Sequence, residues 1–196
     1  MPIYTRTGDT GTTALFGGKR VLKCEELVDV YGSIDELNSW VGLIASELQV
    51  LDVQTFLQTI QSDLFTLGST LAGWKGNLEF VEERVKEMEA RIDVMEKELP
   101  PLNNFILPGG CELGAHTHVA RAICRRVERQ AVALFKMPNA KPAWPVGRWQ
   151  MPNNDQDRVI RYLNRLSDLF FMLARFINRQ AGIEEVTWSG KTYLKK

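Results

Sequence analysis

The chain has 196 residues, of which 44% are hydrophobic and 24% are charged. This size and composition exclude wholesale disorder and favour one domain with a sizeable core. Lys and Arg number 24, as do Asp and Glu, so the zero net charge excludes a non-specific binder of nucleic acid or of anionic membranes. No apolar run approaches the roughly 18 residues of a membrane span, and the start MPIYTRTGDT lacks leader features, so we expect a cytoplasmic protein.

The cysteines and histidines do not form a metal-binding pattern. Cys24, Cys111 and Cys124 are odd in number and lack paired Cys-x-x-Cys spacing, which argues against disulfides and structural zinc and predicts buried thiols. His116 and His118 are two residues apart on a predicted helix and therefore point about 200° apart. They cannot readily share one metal, and the direct ligands of any metal stay open.

Apolar residues recur at helical spacing in five segments of the chain. These segments cover residues 27–48, 56–71, 81–99, 113–134 and 163–177. Helices of this length with modest loops predict an all-α protein, folded as a five-helix up-and-down bundle with little room for a sheet.

One single domain is expected over residues 1–196, with three kinds of segment. Residues 1–24 are glycine-rich, residues 25–136 and 155–182 form the helical bundle, and residues 137–154 form an insertion with four prolines and two tryptophans. A loop of this length without secondary structure is functional or disordered. Trp144 and Trp149 favour docking of the insertion on a partner or over the site.

The glycine-rich segment, TRTGDTGTTALFGG, combines glycines, threonine hydroxyls and nearby cations. Glycines let backbone N–H groups approach an anion, and hydroxyls and cations complete a phosphate cradle. The alternative, which composition alone favours, is a flexible terminus or a hairpin. The segment is not a Walker A loop, because Arg20 follows Lys19 where Ser or Thr is required, and it is not part of a Rossmann unit.

The fourth helix carries an arginine-rich face. Arg121, Arg125 and Glu128 fall within about 60° of one another, and Arg129 lies at the edge of this face. A solvated face with an Arg-to-Glu pair at i,i+3 is the ordinary interpretation. Four arginines in nine residues exceed what solubility requires, so the cluster could surround a triphosphate together with the glycine-rich segment.

Three further residues allow both a structural and a functional interpretation. Asp35, beside Glu36 and Asn38 in an otherwise apolar helix, is either an ordinary exposed acid or the partner of an arginine across an interface. Asn164 is either a surface residue or a reader of a sugar or base edge. Phe105, in the apolar run NNFILPGG, is most simply a core residue.

Five motifs occur together and in order: TRTGDTGTTALFGGKRVLK, YGSIDELNSWVG, FILPGG, CRRVERQ and YLNRLSD. With them the chain resembles the PduO-type ATP:cob(I)alamin adenosyltransferases over nearly its whole length. The resemblance implies a five-helix bundle assembled as a homotrimer, with active sites between neighbouring subunits. It also implies transfer of the 5′-deoxyadenosyl group of ATP to cob(I)alamin, with Mg²⁺ accompanying the ATP.

The resemblance also implies roles for individual residues. Asp35 and Arg121 match a pair that joins two subunits beside the cobalamin, Phe105 matches an aromatic residue below the corrin, and Arg125 joins these three as a catalytic position. The residues that match ATP-binding positions are Thr5, Arg6, Thr7, Gly8, Thr13, Lys23, Arg125, Arg126, Glu128, Arg129 and Asn164.

The chain departs from the family pattern at two places. Arg6 stands where Lys is commoner, which keeps the charge but changes its geometry, and the segment 136–154 is longer than usual. Two alternative functions stay open: a carrier that delivers adenosylcobalamin to a dependent enzyme, and a non-catalytic ATP-binding regulatory bundle. Expected partners are ATP, cob(I)alamin, further copies of the chain, a cobalamin reductase and an adenosylcobalamin-dependent enzyme.

Overall fold

The computed structural model describes residues 3–136 and 151–189. Five helices dominate it. Four of them begin and end within five residues of the limits that apolar periodicity predicts, and the fifth begins ten residues before its predicted start. The helices are α1 (Glu26–Glu47), α2 (Leu51–Leu71), α3 (Phe80–Glu98), α4 (Glu112–Lys136) and α5 (Asn153–Gln180). The glycine-rich segment contains two short strands, β1 (Thr12–Ala14) and β2 (Arg20–Leu22), which pair antiparallel. The prediction of five helices is confirmed, with this small hairpin as the addition.

Side-chain contacts fix the direction of each helix. Asn38 of α1 bonds the Gln61 carbonyl of α2, and Gln54 bonds the Ala45 carbonyl, so α1 and α2 are antiparallel. The same reversal relates α1 to α4, α4 to α5, and α2 to α3, whereas α3 and α5 run parallel. The contacts that establish this are Arg126 to Glu36, Gln130 to Asp29, Glu128 to Asn164, Lys136 to Asp157, Asp63 to Arg84, Asp52 to Arg91, Glu82 to Arg161 and Glu89 to Arg165. The bundle is therefore up-and-down.

The core consists of the apolar faces of all five helices. Its largest fully buried side chains include Tyr162, Phe170, Ile34, Leu57 and Leu64. Met151, which precedes α5, is also buried, so the end of the predicted insertion packs against the bundle. Residues 137–150, where docking was predicted, lie outside the described part of the chain.

The cysteine prediction is partly wrong. Cys124 is buried in α4 and Cys111 is half-buried, but Cys24 is exposed, because it lies in the turn between β2 and α1, outside any apolar face. Within residues 3–136 and 151–189, no helix is long and apolar enough to cross a membrane.

Candidate active site

The arginine-rich face of α4 lies beside a cavity of about 310 Å³ between α3, α4 and α5. Arg121 and Arg125 line this cavity with Arg165 of α5. Arg165 is neutralised by Glu89 and Asp168, whereas no hydrogen bond or ion pair joins Arg121, Arg125 or Arg129 to another described residue. Burial, and then the charge of Arg125, lowers the pKa of Arg121. Asp168 is the one acid that lines this cavity, and it is paired with Arg165. Closely spaced cations that lack an acidic partner of their own are the electrostatic arrangement of an anion site.

The remaining α4 residues of the predicted site have partners within the chain. Glu128 accepts a 3.0 Å hydrogen bond from the Asn164 amide of α5, so it does not form the i,i+3 pair with Arg125 that an ordinary solvated face would show. Arg126 pairs with Glu36 of α1. The structure therefore brings Glu128 and Asn164 together and directs Arg126 to the opposite side of α4.

The predicted residues of the glycine-rich segment form a compact turn before and around the β-hairpin. Arg6 has a φ of 59°, in the left-handed region, and its guanidinium lies 5.5 Å from the Tyr4 ring centroid. The hydroxyl oxygens of Thr5 and Thr7 are 2.9 Å apart, and the Thr7 carbonyl accepts a hydrogen bond from Arg20. Backbone in the left-handed region occurs where a turn exposes successive N–H groups.

Lys23 and Thr13 close this turn from the hairpin side. A Cβ placed on Gly8 would lie 3.4 Å from the Lys23 Nζ, so the ammonium group packs directly over the glycine. Thr13 bonds the hydroxyl of Tyr31, and burial of that hydroxyl outweighs the bond and raises the pKa of Tyr31. The hairpin thus joins the turn to the first helix.

Phe105 projects from a different place, the loop between α3 and α4. Its ring is 79% exposed, so the interpretation of Phe105 as a core residue is wrong. The ring packs edge-on against Trp188, with centroids 6.3 Å apart, and the Trp188 N–H donates a 2.7 Å hydrogen bond to the Phe105 carbonyl. Ile106 and Thr187 form an antiparallel bridge beside them. The exposed aromatic surface is therefore held by backbone bonds, not by burial.

Asp35 lies in a third location, a cavity of about 280 Å³ between α1 and α2 that is also lined by Tyr31, Asn38, Phe65 and Ser69. Its side chain is exposed, which agrees with both interpretations of Asp35 from the sequence, an ordinary exposed acid and an interface partner. Arg121 lines the cavity on the other side of α4, so Asp35 and Arg121 form no pair within the chain.

The glycine-rich segment and Phe105 lie at opposite ends of the bundle. The segment adjoins the start of α1 and the end of α2, because the Phe16 N–H donates to the Ala72 carbonyl. The Phe105 loop adjoins the start of α4, which meets the end of α1 through His116 and Glu47. With 22 residues, α1 separates the two ends by about 33 Å. One chain therefore cannot bring both features to the same small molecule.

The residues that fix the Phe105 loop were not predicted from the sequence. Asn178 and Arg175 of α5 are each 3% exposed and bond the loop and the tail after α5. Two features of the sequence could have indicated them: an Arg and an Asn among the apolar positions of the fifth helix, and the glycine pair after Phe105. Among the described residues, no group of three or more His, Cys, Asp or Glu side chains could hold a metal ion.

The family model for cobalamin adenosyltransferase matches residues 3–177. The chain belongs to the cobalamin adenosyltransferase family. It is 42% identical over 194 residues to the corrinoid adenosyltransferase of Bacillus subtilis (strain 168), covering 96% of this chain and 92% of the relative. It is 38% identical over 180 residues to the corrinoid adenosyltransferase PduO of Salmonella typhimurium, covering 89% of this chain but only 49% of that longer relative.

The same family includes solved structures with this fold. One is a phenylalanine-to-alanine variant of the PduO-type ATP:corrinoid adenosyltransferase from Lactobacillus reuteri, complexed with cobalamin and ATP. Its TM-score to the present bundle is 0.81 at 33% identity, over 96% of this chain and 100% of that one. The adenosyltransferase resemblance found in the sequence motifs is confirmed.

Proposed function

We propose that this protein transfers the 5′-deoxyadenosyl group of ATP to cob(I)alamin, forming adenosylcobalamin and triphosphate. Family membership supports this activity. The structural observation that carries it is the pair of α4 arginines, Arg125 and Arg129, which lie on one face of the helix and have no acidic partner among the described residues. A polyphosphate supplies the missing negative charge.

The reaction is a substitution at carbon. The cobalt of cob(I)alamin attacks C5′ of the ribose, a cobalt–carbon bond forms as the bond from C5′ to oxygen breaks, and the electron pair leaves on the triphosphate. No protein nucleophile is required, so the protein orients the two substrates and excludes water. Arg125 and Arg129, with Arg6 and Lys23, stabilise the charge that develops on the leaving oxygen.

ATP is held by two groups of residues in this proposal. The turn before the hairpin contributes backbone N–H groups, hydroxyls and cations, and α4 and α5 contribute the arginine face and the Glu128–Asn164 pair. The residues concerned are Thr5, Arg6, Thr7, Gly8, Thr13, Lys23, Arg125, Glu128, Arg129 and Asn164, and Arg126 would join them by leaving Glu36 of α1. Mg²⁺ would accompany the ATP phosphates and neutralise part of their charge.

The active site lies between subunits of a homotrimer. Cobalt must approach C5′ closely, but the glycine-rich turn and Phe105 of one chain lie at opposite ends of α1, a helix about 33 Å long. The turn of one subunit must therefore meet Phe105 of another. Asp35 and Arg121, which lie in separate grooves of one chain, are suited to pair across the same interface.

Phe105 covers the lower face of the corrin. An apolar ring at this position displaces the lower axial ligand of cob(II)alamin, which lowers the energy of the cobalt orbital that accepts the next electron and eases reduction to cob(I)alamin. The 79% exposed ring supports this role, since its edge contact with Trp188 leaves most of the aromatic surface open to a ligand. A cytoplasmic reductase supplies the electron, and an adenosylcobalamin-dependent enzyme receives the product.

One assay tests the proposed function. Protein, Mg-ATP and chemically reduced cobalamin are mixed without oxygen, and the absorbance of adenosylcobalamin is followed together with triphosphate release. Multiple turnovers with equimolar triphosphate support the enzyme. A spectral shift that stops at one equivalent per site indicates a carrier, and the absence of any change contradicts both.

A further inference from the structure

The side chain of Asn178, near the end of α5, is bonded on both of its polar atoms to the loop that carries Phe105. The Asn178 Oδ1 accepts hydrogen bonds from the Cys111 N–H at 3.0 Å and from the Cys111 thiol at 3.3 Å. The Asn178 Nδ2 donates to the Gly109 carbonyl at 2.9 Å. Because Asn178 is 3% exposed, water does not compete for these bonds. One buried amide therefore ties the α4 end of the loop to α5.

Two glycines leave the space that this amide occupies. A Cβ on Gly110, where φ is 113°, would lie 2.1 Å from the Asn178 Oδ1, and a Cβ on Gly114 would lie 2.2 Å from the same atom. Gly114 lies in the first turn of α4, and Gly is less favourable than Ala in a helix. A helical glycine that costs stability therefore makes room for Asn178.

Arg175, one turn earlier on α5, holds the segment after the helix. Its Nε and NH2 groups donate to the two Glu185 carboxylate oxygens at 2.8 and 3.0 Å, and NH2 also donates to the Pro100 carbonyl at 2.9 Å. The tail bonds the Phe105 loop in turn, since the Leu107 N–H donates to the Val186 carbonyl at 2.8 Å. The Phe105 loop and the tail after α5, which pair through the Ile106–Thr187 bridge, are thus both attached to α5, the loop by Asn178 and the tail by Arg175.

We propose that Asn178 is a positioning residue that sets the location of the Phe105 ring below the corrin. The proposal rests on the proposed function, in which Phe105 acts on cob(II)alamin. Asn178 does not touch either substrate. It holds the Gly109–Cys111 turn, the turn sets the direction of the loop, and the loop presents the exposed ring. A displacement of about 1 Å can reduce a rate about 100-fold, so such a distant residue can control the reaction.

Two variants test the proposal by different routes. Asn178→Ala removes the bonds and leaves a cavity. Gly114→Ala keeps Asn178 but forces its amide away from Cys111 and Gly109, while it raises helix propensity. We expect both variants to increase amide hydrogen exchange in residues 104–111 and 184–189 and to leave exchange in α1 and α2 unchanged. Unchanged exchange in the loop and tail in both variants would overturn the proposal.

The kinetic measurement separates positioning from general damage. Each variant is assayed with cob(I)alamin made by a strong chemical reductant, and with cob(II)alamin and reduced flavin as the one-electron donor. We expect the cob(II)alamin-fed rate to fall roughly 10- to 100-fold, and the cob(I)alamin-fed rate and ATP affinity to change little. If both rates fall equally, Asn178 has only a structural role. Ile60→Ala, a core truncation in α2, is the stability control and should leave the ratio of the two rates unchanged.

The double variant Asn178→Ala/Gly114→Ala gives the last check. Both substitutions break the same bonds, so the double variant should be no slower with cob(II)alamin than the slower single variant; additive losses would contradict the shared mechanism. A wild-type protein that fails to use cob(I)alamin would refute the proposed function alone, because the exchange experiment still decides whether Asn178 holds the loop.

Discussion

Asp35 and Arg121 lie in different grooves of the same bundle. The Asp35 carboxylate lines the cavity between α1 and α2, whereas the Arg121 guanidinium lines the cavity between α3, α4 and α5, and the buried Arg121 Nε has no hydrogen-bond partner among the described residues. A half-buried guanidinium without a partner is costly, which favours a carboxylate from another subunit. Assembly of the proposed homotrimer would supply it.

Charge reversal tests this pairing across subunits. Asp35→Arg or Arg121→Asp alone should weaken the trimer and reduce turnover, because two like charges would then meet at the interface. The double variant restores an opposite-charge pair and should recover part of both losses. Sedimentation velocity measures assembly, and the cob(I)alamin assay measures turnover.

The neighbouring acid provides a matched control for that experiment. Glu36 pairs with Arg126 of its own chain, and both side chains are substantially exposed, so loss of this pair should cost at most about 1 kcal/mol. Glu36→Gln should therefore leave the oligomeric state unchanged. Purely additive damage in the double variant of Asp35 and Arg121 would refute their pairing.

Arg125 tests the anion site. Arg125→Ala should lower kcat/KM by about 100- to 1,000-fold, in the range seen when one donor to a developing negative charge is removed. ATP affinity measured by calorimetry should fall as well, because the guanidinium acts on the ground-state triphosphate. Arg161→Ala is the control: Arg161 is also an exposed helical arginine, but its partner is Glu82 of α3. Normal ATP binding by Arg125→Ala would contradict its assignment.

Phe105 tests the proposed reduction of cob(II)alamin. Phe105→Ala should retain ATP binding and lose most of the cob(II)alamin-fed activity. The free energy of unfolding should hardly change, since a ring that is 79% exposed contributes little to the core. Leu102→Ala, in the same loop and also exposed, should behave as the wild type. Equal cob(II)alamin-fed rates in Phe105→Ala and wild type would remove Phe105 from the proposed site.

The helices could be predicted because their apolar faces repeat along the sequence. The first ten residues of α5 show the limit of that signal: Asn153 to Tyr162 is mostly polar, so periodicity begins the helix at Leu163 although the structure begins it at Asn153. The arginine face of α4 was also predicted, since its spacing is local. Both predictions depend on neighbours within one helix.

The residues around Phe105 could not be predicted for the opposite reason. Asn178 bonds Cys111 from 67 positions away, and Arg175 bonds Pro100 from 75 positions away. Nothing in a helical pattern indicates which distant backbone groups a buried amide will satisfy.

His118 makes stability depend on pH in a defined direction. It is buried in α4 beside Phe171, and neither of its ring nitrogens has a hydrogen-bond partner in the described residues. Burial, and then the charge of Arg121, lowers the pKa of His118, against a weaker opposite effect of Glu185. As the pH falls, His118 is therefore protonated near pH 6.5 in the unfolded chain but only at a lower pH in the folded chain.

The free energy of unfolding should therefore be highest above about pH 6.5 and fall as the pH drops below it, by at most about 1.4 kcal/mol per pH unit for this residue. His118→Leu should reduce that decline between pH 7 and pH 5 and cost little at pH 8, since no hydrogen bond is lost. His116→Leu is the control: it removes a half-exposed imidazole beside Glu47 but keeps His118, so the decline should remain. Urea unfolding at several pH values in this range gives the free energy of unfolding of both variants. If this free energy declines with falling pH equally in His118→Leu and wild type, the lowered pKa is contradicted.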